Sequence, residues 1–409
     1  MTTTRRTIPQ DPGRREMTPA DAATEHSARV RDHLISQMEA AGGWLSFERF
    51  MDLALYAPGL GYYSGGAQKL GEGGDFTTAP EVSPLFGACV AMQCAEVLQS
   101  LGAGPAAGPG AGSVLEIGAG SGRLAADVLA RLEAQGQLPE RYWILEISAD
   151  LRQRQREHLE KRLPHLLERV HWLDRPPEEH FEGLILANEV LDALPVARFR
   201  WRADAVDEIG VAMLEKEFAW AARPADTAMA QICHELAAAA GGWDDGYVSE
   251  YCGRVGAWTR AVTQSLRRGM VLWFDYGLPR AQYYLPERHE GTLACHFRHR
   301  LSDDPFANVG LQDITAWVDF TRVAEASREA GFELAGFTTQ AHFLAGLNID
   351  REMRLAAGGD ENLFARLANQ ARQLMLPGGM GERFKAMAWL RGVELPLSGF
   401  SLLDLRHSL

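Results

Sequence analysis

The chain is short of cysteine, of long apolar runs and of net positive charge, and each shortage removes a class of protein. Its five cysteines, Cys89, Cys94, Cys233, Cys252 and Cys295, are scattered, with no C-x-x-C pair. That excludes a disulfide framework and fits free thiols in a reducing compartment. Cys295, His296 and His299 lie close in sequence but lack a second ligand pair, so no metal site is expected. No run is long and apolar enough to span a bilayer, so no membrane insertion is expected. Arg5, Arg6, Arg14 and Arg15 have no apolar segment after them, which argues against a secretory signal. Asp11 and Glu16 weaken a mitochondrial presequence reading. The expected location is the cytoplasm of a bacterium, or the mitochondrial matrix if the source is eukaryotic. The formal net charge of −13 disfavours nucleic acid as a partner. Ser-His-Asp and H-E-x-x-H patterns are also missing.

What is present is a glycine-rich loop between an apolar run and a helix-forming run. Val114, Leu115 and Ile117 suit a buried parallel strand. Gly118, Gly120 and Gly122 follow, and then Leu124 to Leu132 with helical character. Strand, glycine loop and helix start make a nucleotide-type site. Two residues argue against a dinucleotide. Arg123 stands where the last small residue of G-x-G-x-x-G allows close helix packing. Glu116 precedes the first glycine, and at about 4 Å a carboxylate and a pyrophosphate repel by roughly 4 kcal/mol at an effective dielectric near 20. A carboxylate instead suits an ammonium or sulfonium ligand, and S-adenosylmethionine carries both.

The 409 residues, 46% hydrophobic and 23% charged, can bury a large core. Residues 1–25 read as a disordered tail. Residues 26–112 read as a helical and loop region covering the cofactor: residues 26–56 look helical, Ser83-Pro84 starts a helix reaching about Leu101, and Gly102–Gly112 is a linker. From Ser113 strands and helices alternate, with strands expected at Val114–Ile117, Tyr142–Ile147, Val170–Leu173, Leu184–Ala187 and Met270–Tyr276. This is the signature of an α/β, doubly wound, Rossmann-like sheet. The core is placed at 113–345, with an antiparallel β insertion at about 198–221 and an irregular loop at about 279–312. Asp319–Ala330 reads as a helix and Phe332–Thr339 as a late strand. Residues 346–409 read as a helical extension, with 361–391 forming one or two helices broken at Pro377.

Ligands of an open parallel sheet lie off the carboxyl ends of its strands. Glu146 ends the second strand, where a carboxylate can accept both ribose hydroxyls, and Ile147 follows it. Asp174 follows the third strand and could accept from an adenine amino group. The fourth strand ends in Asn188-Glu-Val-Leu-Asp-Ala-Leu-Pro195. Glu189 and Asp192 are three apart, so a short helical turn puts both on one face. Paired carboxylates suit a cationic acceptor such as a guanidinium, whose pKa above 12 prevents prior deprotonation. The enzyme must then orient it and take a proton as the methyl transfers. Asn188, Glu189 and Asp192 are the catalytic candidates.

Six segments together resemble the MidA-like class I methyltransferases, whose mitochondrial members are complex I assembly factors and protein arginine methyltransferases. They are Gly74-Asp-Phe-Thr-Thr-Ala-Pro-Glu-Val-Ser83, Leu115-Glu-Ile-Gly-Ala-Gly-Ser-Gly122, Asn188–Pro195, Phe274-Asp-Tyr-Gly277, Gln312–Thr315 with Val318–Phe320, and Met380-Gly-Glu-Arg-Phe-Lys385. The resemblance spans roughly residues 30 to 392. It implies S-adenosylmethionine bound by Gly118, Ala119, Gly120, Gly122 and Glu146, with the loop carrying Asp75, Thr77, Pro80 and Glu81 closing over it. It also implies an arginine acceptor on a protein, a respiratory complex I subunit. Trp317 stands where many relatives have histidine, which bears on substrate identity. The alternatives are a non-catalytic S-adenosylmethionine-binding assembly chaperone, a small-molecule methyltransferase and, least favoured, a dinucleotide oxidoreductase.

Overall fold

The computed structural model describes residues 19–65, 77–102, 112–203 and 205–409. The core sheet has eight strands: the two-residue Val318–Asp319, beside Gly277 and Leu278, lies off the main path, which is built from β1 (Ser113–Ile117), β2 (Tyr142–Leu145), β3 (Val170–Leu173), β4 (Phe181–Asn188), β5 (Leu266–Leu278), β6 (Glu333–Thr339) and β7 (Phe384–Arg391). Their spatial order is β3-β2-β1-β4-β5-β7-β6. The first five pair in parallel. β7 runs antiparallel between β5 and β6. The fold is therefore α/β with a mostly parallel sheet, as the alternation of strands and helices predicts.

The strands read as apolar runs because helices cover both faces. Val114, Leu184, Leu186, Met270 and Leu272 point to one face, where they meet helices Pro84–Ser100 and Arg123–Ala134. Leu115, Ile117, Ile185, Ala187, Val271 and Trp273 point to the other, against helices Val255–Thr263 and Phe320–Glu329. Ser83 caps the first of these helices, its hydroxyl accepting from the Leu85 N–H at 3.3 Å. Gly183 in β4 pairs across from Ser113, where an added Cβ would lie 1.8 Å from the Ser113 carbonyl oxygen.

Four segments differ from expectation. Residues 26–56 are not continuously helical. Helix Pro19–Ala40 stops before Gly42 and Gly43, both at positive φ, and strand Trp44–Ser46 intervenes before helix Phe47–Tyr56. That strand pairs with Val206–Leu214 of the β insertion. The insertion is larger than 198–221. Strands Ala197–Trp201, Val206–Leu214, Glu217–Pro224 and Val248–Tyr251 make, with Trp44–Ser46, a five-stranded sheet. Residues 279–312 are not wholly irregular, since Ala294–Phe297 pairs with both Arg300–Ser302 and Asp313–Thr315. Within 361–391 only Glu361–Met375 is helical, and the rest holds β7. Ala386, Met387, Ala388 and Leu390 are residues of high or neutral helix propensity. Burial on both faces between β5 and β6 overrides that preference. The linker expected at 102–112 and the tail expected at 1–25 fall largely outside the described residues.

The C-terminal helices are tied to the core by one nearly buried ion pair. Arg131 on helix Arg123–Ala134 donates to both oxygens of Glu352 on helix Ile349–Ala357, at 2.6 and 2.9 Å. Glu352 is buried, so losing its partner leaves an uncompensated charge. Arg131→Met is expected to lower stability by about 2–3 kcal/mol, reduced from the fully buried case by the partial exposure of the arginine. Urea unfolding of the two proteins measures the difference. A loss under about 0.5 kcal/mol would place the pair with ordinary surface pairs.

Candidate functional site

The carboxyl ends of β1, β2 and β4 open into a cavity of about 620 Å³. Its walls include Glu116, Gly118, Ala119, Gly120, Glu146, Ile147, Pro80, Glu81, Asn188 and Glu189. Ten positions read from four separate stretches of sequence are thus brought together. A cavity of this size is in the range of small-molecule and cofactor sites.

Gly118 and Gly120 turn the chain at φ of 65° and 54°. A Cβ on Gly118 would meet only Val190, at 3.2 Å, so the cavity side of the loop is open to a ligand. Gly122 is the N-cap of helix Arg123–Ala134 at φ 82° and is not on the cavity wall. A Cβ there would lie 3.2 Å from the Gln155 Cα, so this glycine sets a helix approach. Gln155, fully buried on helix Ala149–Arg162, was not among the residues the motifs suggested. Its side-chain amide donates to the Gly120 carbonyl at 3.0 Å and to Glu146 at 3.1 Å, and its oxygen accepts from Trp172 at 2.9 Å. It therefore fixes the glycine loop relative to the acid at the end of β2. Glu146 also accepts the Ser148 backbone N–H at 2.9 Å.

Glu116 is buried within β1 and accepts from the Tyr142 hydroxyl at 2.6 Å. Burial pushes its carboxyl up to about 7, with the Tyr142 bond opposing and Glu146 adding to the rise. Glu81 has both oxygens engaged across the glycine loop, one by the Ser121 hydroxyl and one by Arg123 at 3.0 Å. Arg123, which departs from the dinucleotide pattern, thus ties the covering segment to the loop. Thr77 and Asp174 are exposed and do not line the cavity, whereas Thr78 does. Asp75 lies outside the described residues.

At the far end, Glu189 sits at φ 54°, a left-handed conformation uncommon for this residue type. Its N–H donates to the Phe274 carbonyl at 2.8 Å, and Asn188 donates to its carboxylate at 3.0 Å. Asp275, buried at the end of β5, accepts the backbone N–H groups of Val190, Leu191 and Asp192 at 3.2, 2.8 and 3.2 Å. Burial pushes Glu189 up to about 8, reinforced by Asp192. Burial likewise pushes Asp192 up to about 6, opposed by a hydrogen bond from Tyr276. Asp192 is not on the wall itself, and its Oδ1, like Asn188 Oδ1, is buried with no donor among the described residues. Asp52, Tyr56, Tyr63, Arg254 and Trp258 complete this end.

Gln155, Asp275, Tyr276, Tyr56, Tyr63 and Arg254 were not singled out from sequence. The Phe274-Asp-Tyr-Gly277 segment was the one available signal for two of them. Trp317 does not line this cavity. It faces a second one of about 360 Å³, which shares Leu194 with the first. No group of three or more His, Cys, Asp or Glu side chains among the described residues is arranged to hold a metal ion.

Comparison with known proteins agrees with this geometry. A family model described as "Putative S-adenosyl-L-methionine-dependent methyltransferase" matches residues 89–338. The mitochondrial protein arginine methyltransferase NDUFAF7 of Danio rerio is 28% identical, covering 92% of this chain and 93% of its own. The Bos taurus counterpart is 29% identical, over 87% and 82%. A Burkholderia thailandensis protein, described as a "likely methyl transferase" and solved with S-adenosyl-homocysteine bound, is 41% identical. It aligns with a TM-score of 0.89 over 96% of this chain and 99% of its own. Donor-type cavity, sheet order and these matches agree: the chain belongs to this S-adenosylmethionine-dependent methyltransferase family, the MidA-like group that its motifs resemble.

Proposed function

We propose that the chain methylates an arginine side chain on a protein, with the donor held at the glycine loop and the acceptor at the Asn188–Asp192 turn. The observation that carries the acceptor half is chemical. Among the described residues, Asn188 Oδ1 and Asp192 Oδ1 are buried acceptors without donors, beside a second carboxylate, Glu189. Buried acceptors left unmade are costly, and a guanidinium offers five N–H donors and a positive charge. The named activity of the mitochondrial relatives supports the same acceptor.

The residues present fit the donor. In this reading Gly118, Ala119 and Gly120 hold the amino-acid part beside Glu116, and Glu146 takes the ribose hydroxyls. Ile147 and Leu151 cover the base, with Pro80 and Glu81 closing one side. Asp174 and Thr77 remain proposed contacts further out, Asp75 remains a proposed contact outside the described residues, and Gly122 contributes through helix placement. S-adenosylmethionine supplies a methyl group on a positively charged sulfur, so transfer needs no covalent enzyme nucleophile. The chain's task is to orient the acceptor nitrogen and receive its proton. Glu189, which lines the cavity, is the proposed proton acceptor, Asp192 behind it adds negative charge to the cation site, and Asn188 helps hold the guanidinium in line. The partner class is a protein, by resemblance a respiratory complex I subunit, met in the bacterial cytoplasm or the mitochondrial matrix.

Three measurements test this reading. Gln155→Leu releases Glu146 and the glycine loop together, and S-adenosylhomocysteine affinity is expected to fall about tenfold by calorimetry, in line with one or two lost buried hydrogen bonds. Unchanged affinity would remove Gln155 from the donor site. With radiolabelled donor and cell extract, the wild type is expected to label a protein band. Asp192→Asn combined with Glu189→Gln should cut labelling at least ~10²-fold while leaving donor binding intact. Retained biological function in that double variant would favour a non-catalytic chaperone, and labelling confined to small molecules would exclude a protein acceptor. Finally, kcat/KM is expected to rise as pH increases through about 6 and again toward 8, because the carboxylate forms of Asp192 and Glu189 receive the cation. Asp192→Asn should erase the lower limb, and a profile flat from pH 5 to 9 would contradict the assignment.

A further inference from the structure

Arg254 is the one basic side chain on the wall of the main cavity among the described residues. It precedes helix Val255–Thr263 and reaches across to helix Phe47–Tyr56. There its guanidinium pairs with Glu48 and, at 2.8 Å, with Asp52. Arg49 holds the other oxygen of Asp52, also at 2.8 Å. Glu48, Asp52 and Tyr56 are spaced four apart, so they stand in a row on one helix face.

Tyr56 closes that row and stacks on Tyr63, with ring centroids 5.5 Å apart and planes inclined by 17°. The Tyr56 hydroxyl donates to the Ala193 carbonyl at 2.9 Å, inside the turn that carries Asp192. The Tyr63 hydroxyl donates to both oxygens of Asp313, at 3.0 and 2.9 Å. Burial, with Asp313 adding to it, holds both phenols well above their usual range, so the rings stay neutral. A flat cation is drawn to such ring faces and to the carboxylates beside them.

We propose that Glu48, Asp52, Tyr56 and Tyr63 form the track that recognises the acceptor, and that Arg254 is a resident surrogate for the acceptor's guanidinium. Its pairs hold the track's carboxylates until an incoming cation replaces it. The inference rests on the cationic-acceptor reading above. The exchange is feasible because the Arg254 side chain is 42% exposed, and ion pairs at such a rim are screened and individually weak. A second guanidinium makes the same forked contacts, so the exchange is close to balanced. The deeper carboxylates and the tyrosine faces then favour the newcomer. Only ion pairs change hands, and no covalent bond is made or broken. A site already satisfied by a planar fork also selects arginine over lysine, whose ammonium offers a point charge.

The test titrates the full-length protein, saturated with S-adenosylhomocysteine, with N-acetyl-arginine amide and N-acetyl-lysine amide in a calorimeter. The wild type is expected to prefer the arginine probe. Arg254→Met should bind it about tenfold more tightly, and Asp52→Asn and Tyr56→Leu about tenfold more weakly. Tyr56→Phe, which keeps the ring, should stay within about twofold. Unaltered S-adenosylhomocysteine affinity shows that each variant is folded. Arg254→Lys keeps the charge without the fork and should tighten binding by a smaller factor, which keeps the test open if the methionine variant fails to fold. Unchanged or weaker binding in both Arg254 variants overturns the surrogate role. If Asp52→Asn and Tyr56→Leu leave binding intact while Asp192→Asn weakens it, the track is overturned and the cationic acceptor stands. If no protein binds the arginine probe, the cationic-acceptor reading itself fails, and the track with it.

Discussion

The carboxylate of Asp275 accepts three successive backbone N–H groups, from Val190, Leu191 and Asp192. The chain leaving β4 must turn sharply there, and without that acceptor three amide donors would be buried unpaired. The same turn places Glu189 in a left-handed conformation, which costs of order 1–3 kcal/mol and persists only where the surroundings over-determine it. The bond from the Glu189 N–H to the Phe274 carbonyl supplies part of that restraint. Asp275 thus aims the polar groups of Asn188, Glu189 and Asp192 from one fixed backbone, and the antiparallel pairing of β5 with β7, which sets Asp275 across from Lys385, fixes Asp275 itself.

A comparable restraint organises the donor end. Gln155 joins the Gly120 carbonyl, the Glu146 carboxylate and the Trp172 indole, so the loop after β1, the acid after β2 and the end of β3 move as one body. Glu81 adds the covering segment through Ser121 and Arg123. The glycine-loop end of the cavity therefore depends on buried polar side chains bonded to one another, held by a sheet whose apolar faces are covered. Such networks fix geometry tightly when every member is bonded.

The N-terminal region has a larger part than a cover. Strand Trp44–Ser46 joins the inserted sheet, and helix Phe47–Tyr56 follows it with Ser46 as its cap, accepting the Arg49 N–H at 3.2 Å. That places Asp52 and Tyr56 on the cavity wall, beside side chains that lie more than 130 residues away in sequence. The two ends of one cavity are thus built from different parts of the chain.

Sequence determined what local chemistry can state. The apolar run Val114–Ile117 followed by alternate glycines required a strand and a ligand-facing loop. Glu116 and Arg123 turned that loop from a dinucleotide toward S-adenosylmethionine, and the pairing of Ser83 with Pro84 required a helix start. The tertiary structure decided the rest, because those outcomes depend on neighbours remote in sequence. Ala386 to Leu390 form a strand since β5 and β6 flank them on both edges, against their own helical leaning. Gln155 looks like one more polar residue on a polar helix until Gly122 admits that helix beside the glycine loop. Asp174 and Glu146 look alike at strand ends, yet Glu146 lines the cavity and Asp174 faces outward. Tyr56, Tyr63 and Arg254 carry no motif at all. Their shared wall arises where the end of helix Phe47–Tyr56, the turn carrying Tyr63 and the residue capping helix Val255–Thr263 meet, and spacing along the chain holds no information about that meeting.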